Sequence, residues 1–145
     1  MTFQLIDDAI DYSSNKKILG KNTGDDFKEG KITLPIILAY GRSNDKEKKF
    51  WERTISDLNQ NDGDFEMALE IINKYQCIED TLTRANHFSN VAVDSVDIFK
   101  DNIYKEKLVS LVTKSVARIY WLIFLIRFHL YLSLIHISEP TRRVR

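Results

Sequence analysis

The first residues of the chain place three carboxylates at helical spacing. Asp7 and Asp11 stand four residues apart, Asp8 and Asp11 stand three apart, and Gln4 precedes Asp7 by three. On a helix these side chains share one face, where the like charges repel one another. A bound cation would turn that repulsion into attraction, and Mg²⁺ is commonly held by one or two carboxylates together with substrate phosphates. The spacing therefore predicts a magnesium site at Asp7, Asp8 and Asp11.

Glycines and lysines follow the acidic segment at short intervals. Lys21 and Lys31 each come directly after a glycine. Glycine lets the backbone turn tightly beside a ligand, and the lysine ammonium is a point charge suited to phosphate oxygens. Carboxylates for a metal and ammonium groups for phosphate within about 25 residues predict a site for a metal and a diphosphate. A solvated acidic helix face would explain the three aspartates alone, but it leaves the ordered series with the lysines to chance.

This ordered series resembles the C-terminal part of the trans-polyprenyl diphosphate synthases. That family has FQxxDDxxDY followed by LGKxxGxDxxEGKxTLP. This chain has FQLIDDAIDY at 3–12, LGK at 19–21 and EGKITLP at 29–35. The resemblance continues more diffusely to about Tyr120, through IEDTLTRA at 78–85. It implies an all-α fold, the C-terminal part of an isoprenoid-synthase-type helical bundle.

The resemblance also implies an activity and its residues. The family condenses an allylic diphosphate with isopentenyl diphosphate in isoprenoid (polyprenyl diphosphate) biosynthesis, with Mg²⁺ assisting ionisation of the allylic diphosphate. Magnesium neutralises the leaving group, so no protein nucleophile is needed. The implied site residues are Asp7, Asp8 and Asp11 as metal ligands and catalytic groups, Gln4, Lys21 and Lys31 for the diphosphate, with Lys21 also catalytic, and Phe3 as a wall of the substrate pocket.

The resemblance further implies parts that this sequence lacks. The family domain is longer and carries an earlier aspartate-rich motif on an opposing helix. We therefore interpret residues 1–120 as the C-terminal portion of a polyprenyl synthetase domain, inactive by itself and homodimeric when full length. The missing segment would hold the side chains that determine product length, so the length of the product is not encoded here.

Three alternatives use the same all-α surface differently. A catalytically silent partner or regulatory subunit of a polyprenyl synthase would have no need for the intact aspartates and lysines. A plain helical interaction module explains the core but not the ordered series. A terpene cyclase would also use metal and aspartates, but the two lysine-bearing loops resemble the chain-elongating synthases better. A second aspartate-rich helix upstream would favour the enzyme, and its absence would favour the silent partner.

Composition excludes some partners and favours a compartment. The 21 basic and 21 acidic residues balance, so the sequence has no footprint of a nucleic-acid-binding protein. Cys77 is the only cysteine, which excludes a disulfide framework and favours a reducing, cytoplasmic location. Cys77 itself is predicted to be a small core residue.

The rest of the chain must hold the acidic helix in place, and its apolar pattern is helical. Residues 1–13 should be the end of one helix. Thr33 can cap the next, with Pro35 in its first turn and Gly41 at its end. The charge run at 42–49, RSNDKEKK, favours a solvated loop or frayed turn.

Further helices are predicted downstream. A helix from Phe50 to Leu58 should end at the turn cluster NQNDG. From Asp64 to Phe99 apolar residues recur every three or four positions, which is a helical period, with an interruption expected near Gln76. Residues 104–120 should form one more amphipathic helix.

The tail at 121–145 breaks this pattern. Its apolar run is at the short limit for crossing a bilayer and is interrupted by Arg127, His129 and His136, so we expect no integral membrane segment. Residues 132–142, LSLIHISEPTR, resemble the in-frame translation of a transposase-type sequencing-library adapter. We interpret the tail as non-native read-through followed by adapter sequence.

This interpretation of the tail is directly testable. Resequencing the locus with a library method that uses different adapters should return a coding sequence that lacks residues 132–142. Recovery of the same tail would show that it belongs to the gene.

Overall fold

The fold is helical throughout the described part of the chain. The computed structural model describes residues 1–12, 23–115, 117 and 124, and every regular element among them is a helix. The elements are α1 (Thr2–Asp11), α2 (Asp25–Lys28), α3 (Leu34–Arg42), α4 (Asp45–Trp51) continued by a π-helix (Glu52–Ser56), α5 (Asp64–Lys74), α6 (Cys77–Val96) and α7 (103–115). The predicted all-α class is confirmed.

The acidic helix α1 is held mainly by α6 and also by α3. Its apolar residues Ile6, Ala9 and Ile10 are buried, and they join one core cluster with Ile78, Leu82 and Ala85 of α6 and with residues of α3 to α5. At the start of α1, the Ser89 hydroxyl lies 3.3 Å from the Thr2 hydroxyl. Packing of the apolar stripe therefore fixes the direction in which the polar side chains of α1 project.

The bounds of α3 follow the prediction with two corrections. Thr33 occupies the N-cap position and Pro35 lies in the first turn, as predicted, but the Thr33 side chain makes no capping hydrogen bond. Gly41 does not end the helix, which continues to Arg42. The Arg42 guanidinium donates to the Tyr75 carbonyl at 2.6 Å and pairs with Asp80, so contacts with the α5–α6 junction hold this additional residue in place.

The charge run at 42–49 is not a loop, so that prediction is wrong. Asn44 accepts hydrogen bonds from the N–H groups of Lys46 and Glu47, each at 3.0 Å, and the Glu47 carboxylate accepts from the Asn44 N–H. This reciprocal capping box starts α4 at Asp45. Glu47 also accepts from Lys74 at 2.7 Å and Tyr75 at 2.9 Å, which ties the new helix to α5.

The helix predicted from Phe50 therefore begins earlier and ends differently. It starts at Asp45 and widens into the π-helix Glu52–Ser56. Arg53, within the π-helix, binds both carboxylate oxygens of Asp64 at 2.8 Å and the Asn59 carbonyl at 2.7 Å. The clamp joins the wide turn to the first residue of α5.

The interruption predicted near Gln76 is confirmed. Helix α5 ends at Lys74, Gln76 has a positive φ of 53°, and α6 begins at Cys77. Cys77 is fully buried in the core, as predicted. Residues 103–115 confirm part of the last predicted helix, whereas 116–120 and the tail lie outside the described residues apart from Ala117 and Phe124. Among the helices described, none combines the length and apolar character needed to cross a bilayer.

Gly24 is required by both its backbone and its surroundings. Its φ is +87°, and a Cβ placed there would lie 2.7 Å from the Phe65 ring. We expect Gly24→Ala to lower the free energy of unfolding by about 2–4 kcal/mol, because a left-handed backbone and an overpacked contact are both penalised. Urea unfolding measures the change.

Gly63 is the matched control for this prediction. It has the same φ of +87°, but a Cβ there meets no atom within 4 Å in the described part of the chain. Gly63→Ala should therefore cost only the backbone contribution of about 1–2 kcal/mol. Equal losses in the two variants would contradict a packing role for Gly24.

Candidate metal and diphosphate site

Three carboxylates of α1 have different surroundings. Asp8 is 7% exposed, and one of its oxygens accepts a 2.8 Å hydrogen bond from the side-chain amide of Gln4. Asp7 and Asp11 are partly exposed. All three residues lie on α1, but Asp8 lies towards the interior, whereas Asp7 and Asp11 are nearer the surface.

Asp11 connects α1 to the segment that carries the later motif residues. The Gly24 N–H donates to the Asp11 backbone carbonyl at 3.0 Å, and the Asp26 N–H donates to the Asp11 carboxylate, also at 3.0 Å. Asp11 therefore caps the N-terminus of α2 from a distant position in sequence. Residues 13–22, which include the predicted site residue Lys21, lie outside the described part of the chain.

Lys31 reaches the same cluster through Asp26. Its ammonium lies 2.9 Å from the Asp26 carboxylate and 2.8 Å from that of Glu29. Hydrogen bonding to Glu29 and then to Asp26 raises the pKa of Lys31, so it is a full cation at neutral pH. The structure thus brings Asp8, Asp11 and Lys31 together around Asp26.

Burial makes the acidic cluster electrostatically costly. Desolvation raises the pKa of Asp8, reinforced by the charges of Asp26 and Asp7 and opposed by the Gln4 amide and the Leu34 N–H. Desolvation likewise raises the pKa of Asp11, with the Asp26 N–H opposing it. A nearby cation would relieve this penalty because it favours the charged form of both groups.

The donor set fits a hard divalent cation of the kind that the sequence predicts. Within residues 1–12 and 23–115, no group of three His, Cys, Asp or Glu side chains is arranged so that it could hold a metal ion by itself. Mg²⁺ does not need such a group, because it keeps several waters and uses one or two carboxylates with substrate phosphates. Partly exposed Asp7 and Asp11, with Asp8 behind them, supply oxygens of that type.

Phe3, in the first turn of α1, lies beside a groove. It is 57% exposed and lines a cavity of about 480 Å³ with residues of α7, among them Leu111 and the two lysines Lys107 and Lys114. The aromatic ring thus forms one wall of an open groove, and its role as a substrate-pocket residue stays a prediction. Because Lys107 and Lys114 lie far from the motif in the sequence, the motif gives no indication that they border this groove.

Asp26 occupies the aspartate position of the motif GxDxxEGK, but the sequence alone gave it no role in the site. It links Asp11 to Lys31 through its backbone N–H and its carboxylate. Its signal was the second aspartate of Gly24-Asp25-Asp26, five residues before Lys31. Asp26 can be identified as a partner of Asp11 only once the fold shows that it lies in the first turn of α2.

The raised pKa of Asp8 leads to a prediction on stability. The folded chain holds the Asp8 proton more tightly than the unfolded chain, so the stability contributed by Asp8 is greatest below its unfolded pKa of 3.8 and decreases as the pH rises through the folded pKa. Asp8→Asn should therefore raise the free energy of unfolding at pH 7 in magnesium-free buffer. Urea unfolding at pH 7 and pH 4 should show this gain shrinking at the lower pH.

The exposed residue Asp62, in the turn before α5, provides the control substitution. Asp62→Asn should change stability little at either pH, because its carboxylate is exposed to water. A wild-type chain as stable as Asp8→Asn at pH 7 would contradict the electrostatic penalty at Asp8.

Comparison with known proteins agrees with the motif. The polyprenyl synthetase family matches residues 1–72. The octaprenyl diphosphate synthase of Haemophilus influenzae is 36% identical over 118 residues, covering 81% of this chain and 36% of that protein. Decaprenyl-diphosphate synthase subunit 1 of Schizosaccharomyces pombe is 31% identical over 118 residues, covering 80% of this chain and 29% of that protein.

Solved structures show the same relationship in three dimensions. A decaprenyl diphosphate synthase from Rhodobacter capsulatus matches with a TM-score of 0.74 and 35% identity, over 81% of this chain and 36% of that one. A polyprenyl synthase from Caulobacter crescentus, in complex with calcium and isoprenyl diphosphate, matches with a TM-score of 0.69 and 42% identity, over 79% and 35%. The chain spans about a third of the length of these relatives, and over about four fifths of its own length it is similar to polyprenyl diphosphate synthases.

Proposed function

We propose that this chain is the C-terminal part of a Mg²⁺-dependent trans-polyprenyl diphosphate synthase. The reaction would join an allylic diphosphate to isopentenyl diphosphate and release inorganic diphosphate. The observation that carries the proposal is that Asp26 contacts both halves of the motif. Its backbone N–H donates to the Asp11 carboxylate of α1, and its own carboxylate pairs with the Lys31 ammonium. Carboxylates for a cation and an ammonium for a phosphate thus lie side by side. Residues 1–120 are the proposed synthase portion.

The difficult step is departure of the diphosphate from the allylic carbon. The carbon–oxygen bond breaks and its electron pair leaves with the diphosphate, beside an allylic cation. Mg²⁺, when bound, supplies positive charge that stabilises the leaving group. Asp7, Asp8 and Asp11 are proposed to hold it, with Asp7 as the foremost ligand because it is more exposed than Asp8.

The lysines are proposed to bind the allylic diphosphate. Lys31 would exchange its carboxylate partners Asp26 and Glu29 for phosphate oxygens. This exchange is easy because the Lys31 side chain is about half exposed, and ion pairs in water are weak. Lys21 and Gln4 are proposed to contact the same diphosphate. Phe3 would exclude water from the reacting carbons, since its ring borders the groove beside α7.

Assembly and location remain predictions from the sequence. A homodimer and a cytoplasmic location are proposed for the full-length protein. The alternative is a catalytically silent partner subunit, and one relative is named as subunit 1 of a synthase, so a synthase of this kind can have more than one type of subunit. Assaying the complete protein alone distinguishes the two, since a silent subunit would turn over only with its partner.

The first test is removal of the foremost proposed ligand. In the complete protein, Asp7→Ala should lower the rate of prenyl transfer by several orders of magnitude, because stabilisation of the leaving group is the main catalytic contribution. The measurement is incorporation of labelled isopentenyl diphosphate with an allylic diphosphate. The products can be sized by chromatography.

The control is Glu70→Ala, which removes an exposed carboxylate on α5 and should leave the rate near that of the wild type. Near-normal transfer by Asp7→Ala would refute the assignment of Asp7. If calorimetry showed that the wild-type protein binds diphosphate equally well with and without Mg²⁺, this result would contradict the proposed activity itself.

A further inference from the structure

Two buried hydroxyl groups beside the acidic cluster have no hydrogen-bond partner among the residues that the structure describes. Tyr12 is 1% exposed and Thr33 is 7% exposed. Neither Tyr12 Oη nor Thr33 Oγ1 completes a hydrogen bond with any described residue. A buried hydroxyl that loses its contacts with water and gains none destabilises the fold, so such groups are rare and require an explanation.

Both residues lie close to the carboxylates. Burial raises the pKa of the Tyr12 hydroxyl, the neighbouring Thr33 side chain lowers it, and the charges of Asp11, Asp26 and Asp8 raise it further. The Tyr12 and Thr33 hydroxyls are thus neighbours, but they do not have the geometry of a hydrogen bond to each other. Thr33 immediately precedes Leu34, and hydrogen bonding from the Leu34 backbone N–H lowers the pKa of the Asp8 carboxyl. The two hydroxyls therefore border the cluster from its buried side.

Packing does not account for the hydroxyls. Tyr12 packs its ring against Phe65, with centroids 6.4 Å apart, and phenylalanine would keep that contact. Thr33 stands at the N-cap of α3 but does not cap it, so valine would fill the same volume. The polar atoms add a cost that the apolar equivalents would avoid.

We propose that Tyr12 and Thr33 are positioning residues of the cation site, whose hydroxyls hold one water molecule between the buried side of the acidic cluster and a bound divalent cation. The inference rests on the proposed function, which supplies the cation. A buried water commonly makes about three hydrogen bonds, and two hydroxyls and one carboxylate provide them. This water would give each hydroxyl the hydrogen-bond partner that it does not find among the described residues.

Tyr12→Phe and Thr33→Val test the inference in the complete protein. Mg²⁺ is titrated calorimetrically in the presence of inorganic diphosphate, and urea unfolding is measured in metal-free buffer. Each variant should weaken Mg²⁺ binding by about 10-fold or more, the usual effect of removing a group behind the metal ligands. Each should be at least as stable as the wild type without metal, because an unsatisfied hydroxyl has been removed.

Two matched variants isolate the hydroxyl. Thr33→Ser keeps it and should bind Mg²⁺ like the wild type. Tyr75→Phe removes a tyrosine hydroxyl that is bonded to Glu47 at 2.9 Å, and it should lower stability while leaving Mg²⁺ binding unchanged.

The outcomes separate this inference from the proposed function. Wild-type Mg²⁺ binding in both Tyr12→Phe and Thr33→Val, whatever their stability, overturns the positioning role while the synthase proposal stands. Absence of Mg²⁺-dependent diphosphate binding in the wild type overturns the proposed function and, with it, this inference.

Discussion

The candidate site depends on one residue that accepts two hydrogen bonds. Asp11 receives the Gly24 N–H on its backbone carbonyl and the Asp26 N–H on its carboxylate, both at 3.0 Å. These bonds fasten the last turn of α1 to the start of α2. Because Lys31 is joined to Asp26 in turn, the acidic and basic halves of the site are held together by a few polar contacts. The apolar packing of α1 against α6 holds α1 in the position that those contacts require.

The same carboxylates serve the fold and the proposed ligand. Asp11 caps a short helix, and Asp8 orders the Gln4 amide, yet burial raises the pKa of both. A fold that keeps carboxylates close together away from water gives up stability. That electrostatic cost is also what makes the cluster attractive to a cation. Stability and affinity are therefore opposed in this part of the molecule.

Sequence reasoning predicted the features that repeat or depend on near neighbours. The apolar period placed α6 and the break before it, because each helical residue contacts others three or four positions away. The prediction of a loop at 42–49 was wrong, because this charged run contains the Asn44–Glu47 capping box, which starts a helix at Asp45. Sequence reasoning could not predict the π-helix, which is joined to Asp64 through the Arg53 clamp.

The candidate site shows the same difference between features set by near neighbours in sequence and features set by distant ones. The spacing of Gln4, Asp7, Asp8 and Asp11 predicted that they share one helix, and all four lie on α1. The spacing could not show that Asp8 is buried, because burial depends on α3 and α6. Nor could it show the role of Asp26, whose partner Asp11 lies fifteen positions earlier. Contacts of that kind require the fold.

The hydrogen bond between the Gly24 N–H and the Asp11 carbonyl has a consequence for how related chains can differ. It joins the last residue of α1 directly to the residue that precedes α2, so the contact between these two helices does not depend on the number of residues between Asp11 and Gly24. Homologous chains can therefore gain or lose residues between these two positions while their acidic helices still superimpose.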